Sequence, residues 1–370
     1  MTTIETGLAA PLPVEHNDVA AEAFGERLFG AMLGTFDVLG IAIGDHLDLY
    51  RPLAGRWLTS VELAQERQVH ERYAREWLEQ QCVAGILEVA DATLGPRHRS
   101  FTLPPSHAAV LAPNDTPTYL TPFARMIASA AVQLPALLEA YRSGGGVAWS
   151  DYGVSMRTGQ GDANRGLFLS SLAKDWIPGI PGAAEALASG GTVLDVGCGE
   201  GWSTIALALG FPGARVIGVD VDESSVQAAR DHARERGIED RVTFRHADAA
   251  DLSGEGADVV LAFECVHDMP DPVAVLAAMR AAAAPGAPVV VMDERVGEAF
   301  TGEPDEVERL MYGMSLMICL PDGMSHDDSV ATGTVMRPGT LLGDARAAGF
   351  AGLEVLDIDN DLFRFYLLRD

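Results

Sequence analysis

Residues 193–204 read Val-Leu-Asp-Val-Gly-Cys-Gly-Glu-Gly-Trp-Ser-Thr: an apolar run, then glycines at alternate positions, then helix-forming sequence. A side chain at Gly197 or Gly199 would block the close approach of a ligand and strain a sharp strand-to-helix turn, so the pattern predicts a buried strand feeding a ligand-binding loop. A second apolar run, Val216-Ile217-Gly218-Val219, closes on Asp220, whose carboxylate can accept hydrogen bonds from both hydroxyls of a ribose. Two strand ends of an open α/β sheet therefore meet at one crevice, and the ligand they fit is a nucleoside.

A dinucleotide fingerprint needs Gly or Ala three residues beyond its second glycine, where the helix packs on the strand beneath a pyrophosphate. Trp202 holds that place, and Glu200 puts negative charge inside the loop. A cofactor with a cationic sulfonium and an ammonium group fits better. The stretch resembles the first motif of class I S-adenosylmethionine (SAM) dependent methyltransferases. That resemblance implies SAM as cofactor, with contacts at Asp195, Gly197, Gly199, Gly201, Asp220, Val221, Asp248, Ala249 and Glu264. By position, Asp220 matches the family's ribose acid and Asp248 its contact to the adenine amino group.

The remaining C-terminal sequence follows the same plan. Acids after Asp222 open a helix that Gly237 ends, and apolar runs at 242–244, 258–263 and 288–293 predict further strands. Asp271-Pro272 caps the helix between the last two. The closing runs at 352–357 and 363–368 are separated by too few residues for a helical crossover, so they form an antiparallel hairpin. A Rossmann-like α/β sheet, parallel until its final hairpin, again resembles the methyltransferase topology.

With 370 residues, 48% of them hydrophobic, the chain can bury more than one core. Three parts are expected: a mainly helical winged-helix domain over 1–118, a helical linker over 119–185 and the SAM-binding domain over 186–370. In the first, helical patterns at 18–40 and 43–53 precede a capping box at Thr59 and Glu62, a helix over 70–87, and a hairpin from 86–90 and 100–103. A winged helix can carry a transcriptional regulator's recognition helix or serve dimerisation. Residues 1–118 hold 8 arginines against 16 acids, and the whole chain has net charge −27, which opposes phosphate contacts. The same module in plant-type and actinobacterial small-molecule methyltransferases dimerises and covers the active site, and the resemblance implies a homodimer here. No nucleic-acid partner is expected. Four scattered cysteines without a C-x-x-C pair suit a reducing cytoplasm, and the histidines show no metal spacing. The first thirty residues lack a leader pattern and no uninterrupted apolar run reaches membrane length, so neither a signal peptide nor a membrane partner is expected.

The expected reaction is methyl transfer to a small aromatic or apolar metabolite. If the acceptor is a hydroxyl, a base must take its proton, and His267 is placed for this after the 258–263 strand. The segment His267-Asp268-Met269 resembles the His-Asp-Trp segment of plant-type O-methyltransferases, and Asp293 matches an acid that flanks their histidine. Met269 replaces the usual Trp, and no carboxylate near 334–337 supplies the family's second acid. Trp149 and Tyr152, beside the Gly144–Gly146 run, form either a lid or ordinary core; Met311 and Met314 form either a pocket wall or packing. Two other functions stay open: methyl transfer to nitrogen or carbon by proximity, and a ligand-sensing regulator without turnover.

Overall fold

A computed structural model describes residues 18–370. The reading of an absent leader falls largely on residues 1–17, which lie outside the described residues. Helix α1 (Asp18–His46) runs past the expected break, leaving only α2 (Tyr50–Leu53) of the helix expected at 43–53. Its glycines are points of close approach, not stops. A Cβ at Gly44 would lie 2.5 Å from Trp77 and 2.6 Å from Tyr50, and Trp77 Nε1 donates to Gly40 O at 2.8 Å. After β1 (Leu58–Thr59), Thr59 caps α3 (Ser60–Arg67) through the expected box with Glu62. Helix α4 (Glu71–Val83) stops short of 87 because Gly85 turns the chain with a left-handed φ of 75°. Strands β2 (Glu88–Val89) and β3 (Ser100–Thr102) pair antiparallel, β1 joins the other side of β3, and α5 (Pro105–Leu111) follows. The small sheet and its helices close over Leu49, Leu53, Leu63, Leu78 and Leu103.

The outer side of α1 exposes Phe24, Phe29, Met32 and Phe36. By length and composition this helix could cross a membrane, with a mean hydropathy of 1.5 in its most apolar window. A count of uninterrupted apolar residues passes over this, because single charges interrupt the run.

Helices α6 (Thr121–Val132) and α7 (Leu134–Ser143) lead to a 3₁₀ turn at Trp149–Tyr152, then α8 (Gly153–Leu167), a π-helical stretch at Phe168–Trp176, and α9 (Ala183–Ala188). Arg125 of α6 ties these pieces together, donating to Asp45 of α1 at 2.8 Å and to Asp162 of α8 at 2.9 Å. The Gly144–Gly146 run is docked against the chain. A Cβ at Gly146 would fall 2.2 Å from Pro321 O, and Val147 N donates to that carbonyl at 2.9 Å.

The C-terminal sheet has seven strands: β4 (Thr192–Val196), β5 (Arg215–Asp220), β6 (Val242–His246), β7 (Val259–Phe263), β8 (Val289–Glu294), β9 (Gly352–Val355) and β10 (Phe363–Arg369). Their order is β6-β5-β4-β7-β8-β10-β9, parallel except for β10, which runs antiparallel to β8 and β9. Helices α10 (Trp202–Gly210), α11 (Glu223–Glu235), α12 (Pro272–Ala282) and α15 (Pro338–Ala347) cover the faces. Between β8 and α15, α13 (Glu306–Met314) continues through a π-helical turn at Ser315–Cys319 into α14 (Leu320–Gly323). Strand order reverses beside β4, so β4 and β7 open a crevice at their carboxyl ends.

Candidate active site

At one end of the crevice the main chain does the holding. Gly197, Gly199 and Gly201 adopt φ of 69°, 52° and 80°, which only glycine takes without strain. Their surroundings differ. A Cβ at Gly197 would meet Cys265 at 2.6 Å and one at Gly201 would meet Ala229 and Phe244 at 2.7 Å, whereas one at Gly199 would enter open space. Gly199 N donates to Asp220 Oδ2 at 2.7 Å and Asp222 N to Asp220 Oδ1 at 2.9 Å. Each carboxylate oxygen thus keeps acceptor capacity after fixing the loop. Burial raises the Asp220 pKa, and those amides pull against the rise.

Asp195 faces the start of α10 instead, its Oδ2 accepting from Ser203 at 2.6 Å and Thr204 at 2.5 Å. It shapes the loop from beneath. Burial pushes its carboxyl up to about 6. The guanidinium groups of Arg165 and Arg236 each lie 5.3 Å from the Trp202 ring, which also stacks on His232 at 4.5 Å. Glu200 is buried with Oε1 unpartnered, and burial followed by the Asp162 charge raises it to about 7. Val221 is 70% exposed and Asp248 is exposed beyond β6, where Asp248 caps the turn that carries Ala249.

The other end is a cage of charge around His267, which lies in a short turn after β7 and is only 3% exposed. Its Nδ1 lies 3.0 and 3.1 Å from the Asp293 oxygens and 3.2 Å from Glu294 Oε2, while Nε2 lies 3.3 Å from Asp268 Oδ1. Burial alone would lower the imidazole pKa, but Asp268, Asp293 and Glu294 together hold it well above the ordinary value. Glu264 closes β7 with a left-handed φ of 52°, an unusual conformation for a non-glycine residue. Burial and the Glu294 charge raise it to about 8, and the Asn164 side chain opposes the shift.

Asp293 therefore meets His267, and the second acid missing near 334–337 is supplied from elsewhere. Glu294 and Asp268 both reach the ring, and Thr334 is buried. Glu294, Asp268 and Asn164 have no role assigned from sequence, whereas Glu200 is legible there only as a charge inside the loop. Tyr152 is buried and its hydroxyl donates to Met317 O at 2.7 Å, while Trp149 is half-buried and its main-chain N–H donates to Asp322 Oδ1 at 2.7 Å. Met311 is buried, and Met314 packs with Met317 against the cluster that includes Tyr152 and Ile318.

Known proteins share this architecture. A methyltransferase-domain model matches residues 187–328, and an Rv2258c-like winged HTH domain model matches 36–113. The ubiquinone biosynthesis O-methyltransferase of Aromatoleum aromaticum is 31% identical over 54% of this chain and 79% of its own length. The chain belongs to the class I SAM-dependent methyltransferases. The corresponding enzyme of Bordetella parapertussis is 36% identical over 32% of this methyltransferase, a match spanning about half of that relative, 47%. The mitomycin 7-O-methyltransferase MmcR has the same fold, with a TM-score of 0.70, 20% identity, and coverage of 95% of this chain and 99% of that one. SAM is the methyltransferase's cofactor, and the residues present fit it. Gly199 leaves the loop open on the ligand side, Asp220 keeps acceptor capacity for ribose hydroxyls, and buried carboxylates at Glu200 and Glu264 suit a cation.

Proposed function

We propose that this chain methylates a hydroxyl of a small aromatic or apolar metabolite, with His267 as general base. The observation that carries the reading is the Nδ1 contact of His267 with Asp293 at 3.0 Å. An Nδ1–H that donates to a carboxylate leaves the Nε2 lone pair to accept the acceptor's proton, and the same carboxylate stabilises the imidazolium formed. SAM supplies an electrophilic methyl group on a sulfonium. Asp220, Gly197, Gly199, Gly201, Val221, Asp248 and Ala249 would hold its nucleoside; Glu200 and Glu264, whose carboxyls burial keeps partly protonated, would ionise against its cationic end. A neighbouring positive charge also lowers the proton affinity of His267, which favours the neutral imidazole that a base requires. Trp149, Met311, Met314 and Met317 give the acceptor an apolar, adaptable wall.

The N-terminal module is read as a dimerisation domain over 1–118, joined by a helical linker over 119–185 to the catalytic domain over 186–370. The exposed apolar side of α1 supports a homodimer, and the electrostatics oppose nucleic acid. On α4, Arg72 is paired with Glu76 and Arg75 with Glu71, so the helix that would enter a groove offers little unpaired positive charge. The described cysteines are all free thiols, which suits the cytoplasm. Fold-level likeness to a mitomycin methyltransferase supports a setting in natural-product metabolism.

The test is SAM turnover against a panel of phenols and their amine counterparts, run beside a DNA gel shift and light scattering. Phenol methylation by a dimer that does not shift DNA is expected. Turnover confined to amines would replace the base mechanism with proximity. Salt-sensitive DNA binding without turnover would instead favour the regulator.

A further inference from the structure

The face of His267 turned away from Asp293 has the composition of a transition-metal site. Nε2 of His267, a carboxylate oxygen of Asp268 and Sγ of Cys319 all lie within 4.8 Å of one another. The Nε2 to Asp268 Oδ1 separation of 3.3 Å matches the ligand-to-ligand edge of about 3.3–3.5 Å that tetrahedral Zn–N and Zn–O bonds impose. Thr334, only 2% exposed, lies against the Cys319 thiol, the third member of the set.

The supporting contacts are also those of a metal ligand. Histidines that bind zinc usually donate their other N–H to a carboxylate, which fixes the tautomer and raises ligand basicity. Asp293 accepts that bond from Nδ1. The alternative trio of His267, Asp293 and Glu294 is fully buried, and its nitrogen already serves Asp293. The Asp268 side chain is 36% exposed beside an imidazole that is 3% exposed, so this ligand is the member of the set nearest solvent.

We propose that His267, Asp268 and Cys319 bind one divalent ion of the zinc class, and that this occupancy blocks base catalysis. Binding forms metal bonds to Nε2, Sγ and a carboxylate oxygen, while the thiol proton and any Nε2 proton leave to solvent. The ion occupies the lone pair that would accept the substrate's proton, so metal and base action exclude each other. A nitrogen, sulfur and oxygen set selects zinc or cobalt over magnesium.

The experiment uses the full chain, freed of metal by chelator, titrated with Zn²⁺ against a chromophoric chelator and separately with Co²⁺. One equivalent should bind, with a thiolate-to-cobalt charge-transfer band and tetrahedral cobalt absorption, and excess Mg²⁺ should not displace it. Cys319→Ser should remove the charge-transfer band and weaken zinc by about 100-fold. It should keep metal-free turnover while losing zinc inhibition. Asp268→Asn should weaken zinc without removing the band, and Cys265→Ser should leave both unchanged. No stoichiometric binding, or a charge-transfer band that survives Cys319→Ser, overturns the proposal. Because cobalt absorption needs no turnover, failure of the methyl-transfer reading would be seen separately.

Discussion

The two ends of the crevice are stabilised in different ways. At the glycine loop, main-chain amides of Gly199 and Asp222 hold Asp220, and the hydroxyls of Ser203 and Thr204 hold Asp195. At the other end, three carboxylates surround one imidazole, and Glu264 keeps a buried oxygen without a hydrogen-bond partner. The loop has such atoms too, at Asp195 and Glu200, but its geometry does not depend on them. A buried polar atom left unpaired costs roughly 1–3 kcal/mol, and the left-handed Glu264 adds a similar strain. One end is a shape fixed by backbone; the other is a charge balance that every member alters.

The largest effects should separate these ends. Asp220→Ala should weaken SAM binding by about 10²- to 10⁴-fold in calorimetry, since two ribose hydroxyls lose a charged acceptor worth about 1.5–3 kcal/mol per bond. His267→Ala should retain SAM affinity while reducing kcat about 10²- to 10⁴-fold, with little change in KM. Asp293→Asn should act in the same direction but less, because it orients the ring and offsets its charge. If His267→Ala weakens SAM as much as Asp220→Ala does, the two ends are one electrostatic unit and the division fails.

The same contrast explains what could be read from sequence. The glycine loop, Asp220, the Asp222 and Asp271 caps and the closing hairpin are local patterns, in which each residue's neighbours along the chain determine its conformation. The cage around His267 is not local. Alternation along β8 would send Asp293 and Glu294 to opposite faces, but the strand ends at Glu294 and the chain folds back, with Val296 N donating to Glu294 O at 2.9 Å. Cys319 arrives by way of the π-helical turn at Ser315–Cys319, whose extra residue per turn changes which side chains face inward. A helical period of 3.6 marks Met311 and Met314 as one face and cannot foresee that shift. The family pattern places a second acid near 334–337, whereas here the further carboxylates beside the ring are Asp268 and Glu294.

A smaller effect probes the loop end through pH. The buried Asp195 carboxyl is raised from its ordinary value to about 6, so its contribution to stability is fully present below its unfolded pKa near 4 and lost as pH rises through 6. Denaturation of wild type and Asp195→Asn across pH 4 to 7 should therefore differ by a slope totalling about 2–3 kcal/mol, the wild type losing ground as pH rises. Asn still offers one oxygen to Ser203 and Thr204. Parallel pH profiles would mean that Asp195 titrates as in the unfolded chain, and that its hydroxyl bonds outweigh burial.

The smallest expected change is the sharpest test of backbone control. In Gly199→Ala the new Cβ meets no protein atom, so the fold loses only the strain of a left-handed alanine, about 1–2 kcal/mol. Gly201→Ala drives a Cβ within 2.7 Å of Ala229 and Phe244 and should lose more stability through packing. Binding should rank the two variants the other way. On the proposed reading the ligand approaches the loop through the open space at Gly199, so its alanine should weaken SAM about tenfold in calorimetry even at temperatures where the variant is fully folded. If folded Gly199→Ala binds SAM like wild type, the glycine answers to its φ alone, and the ligand does not approach the backbone at that point.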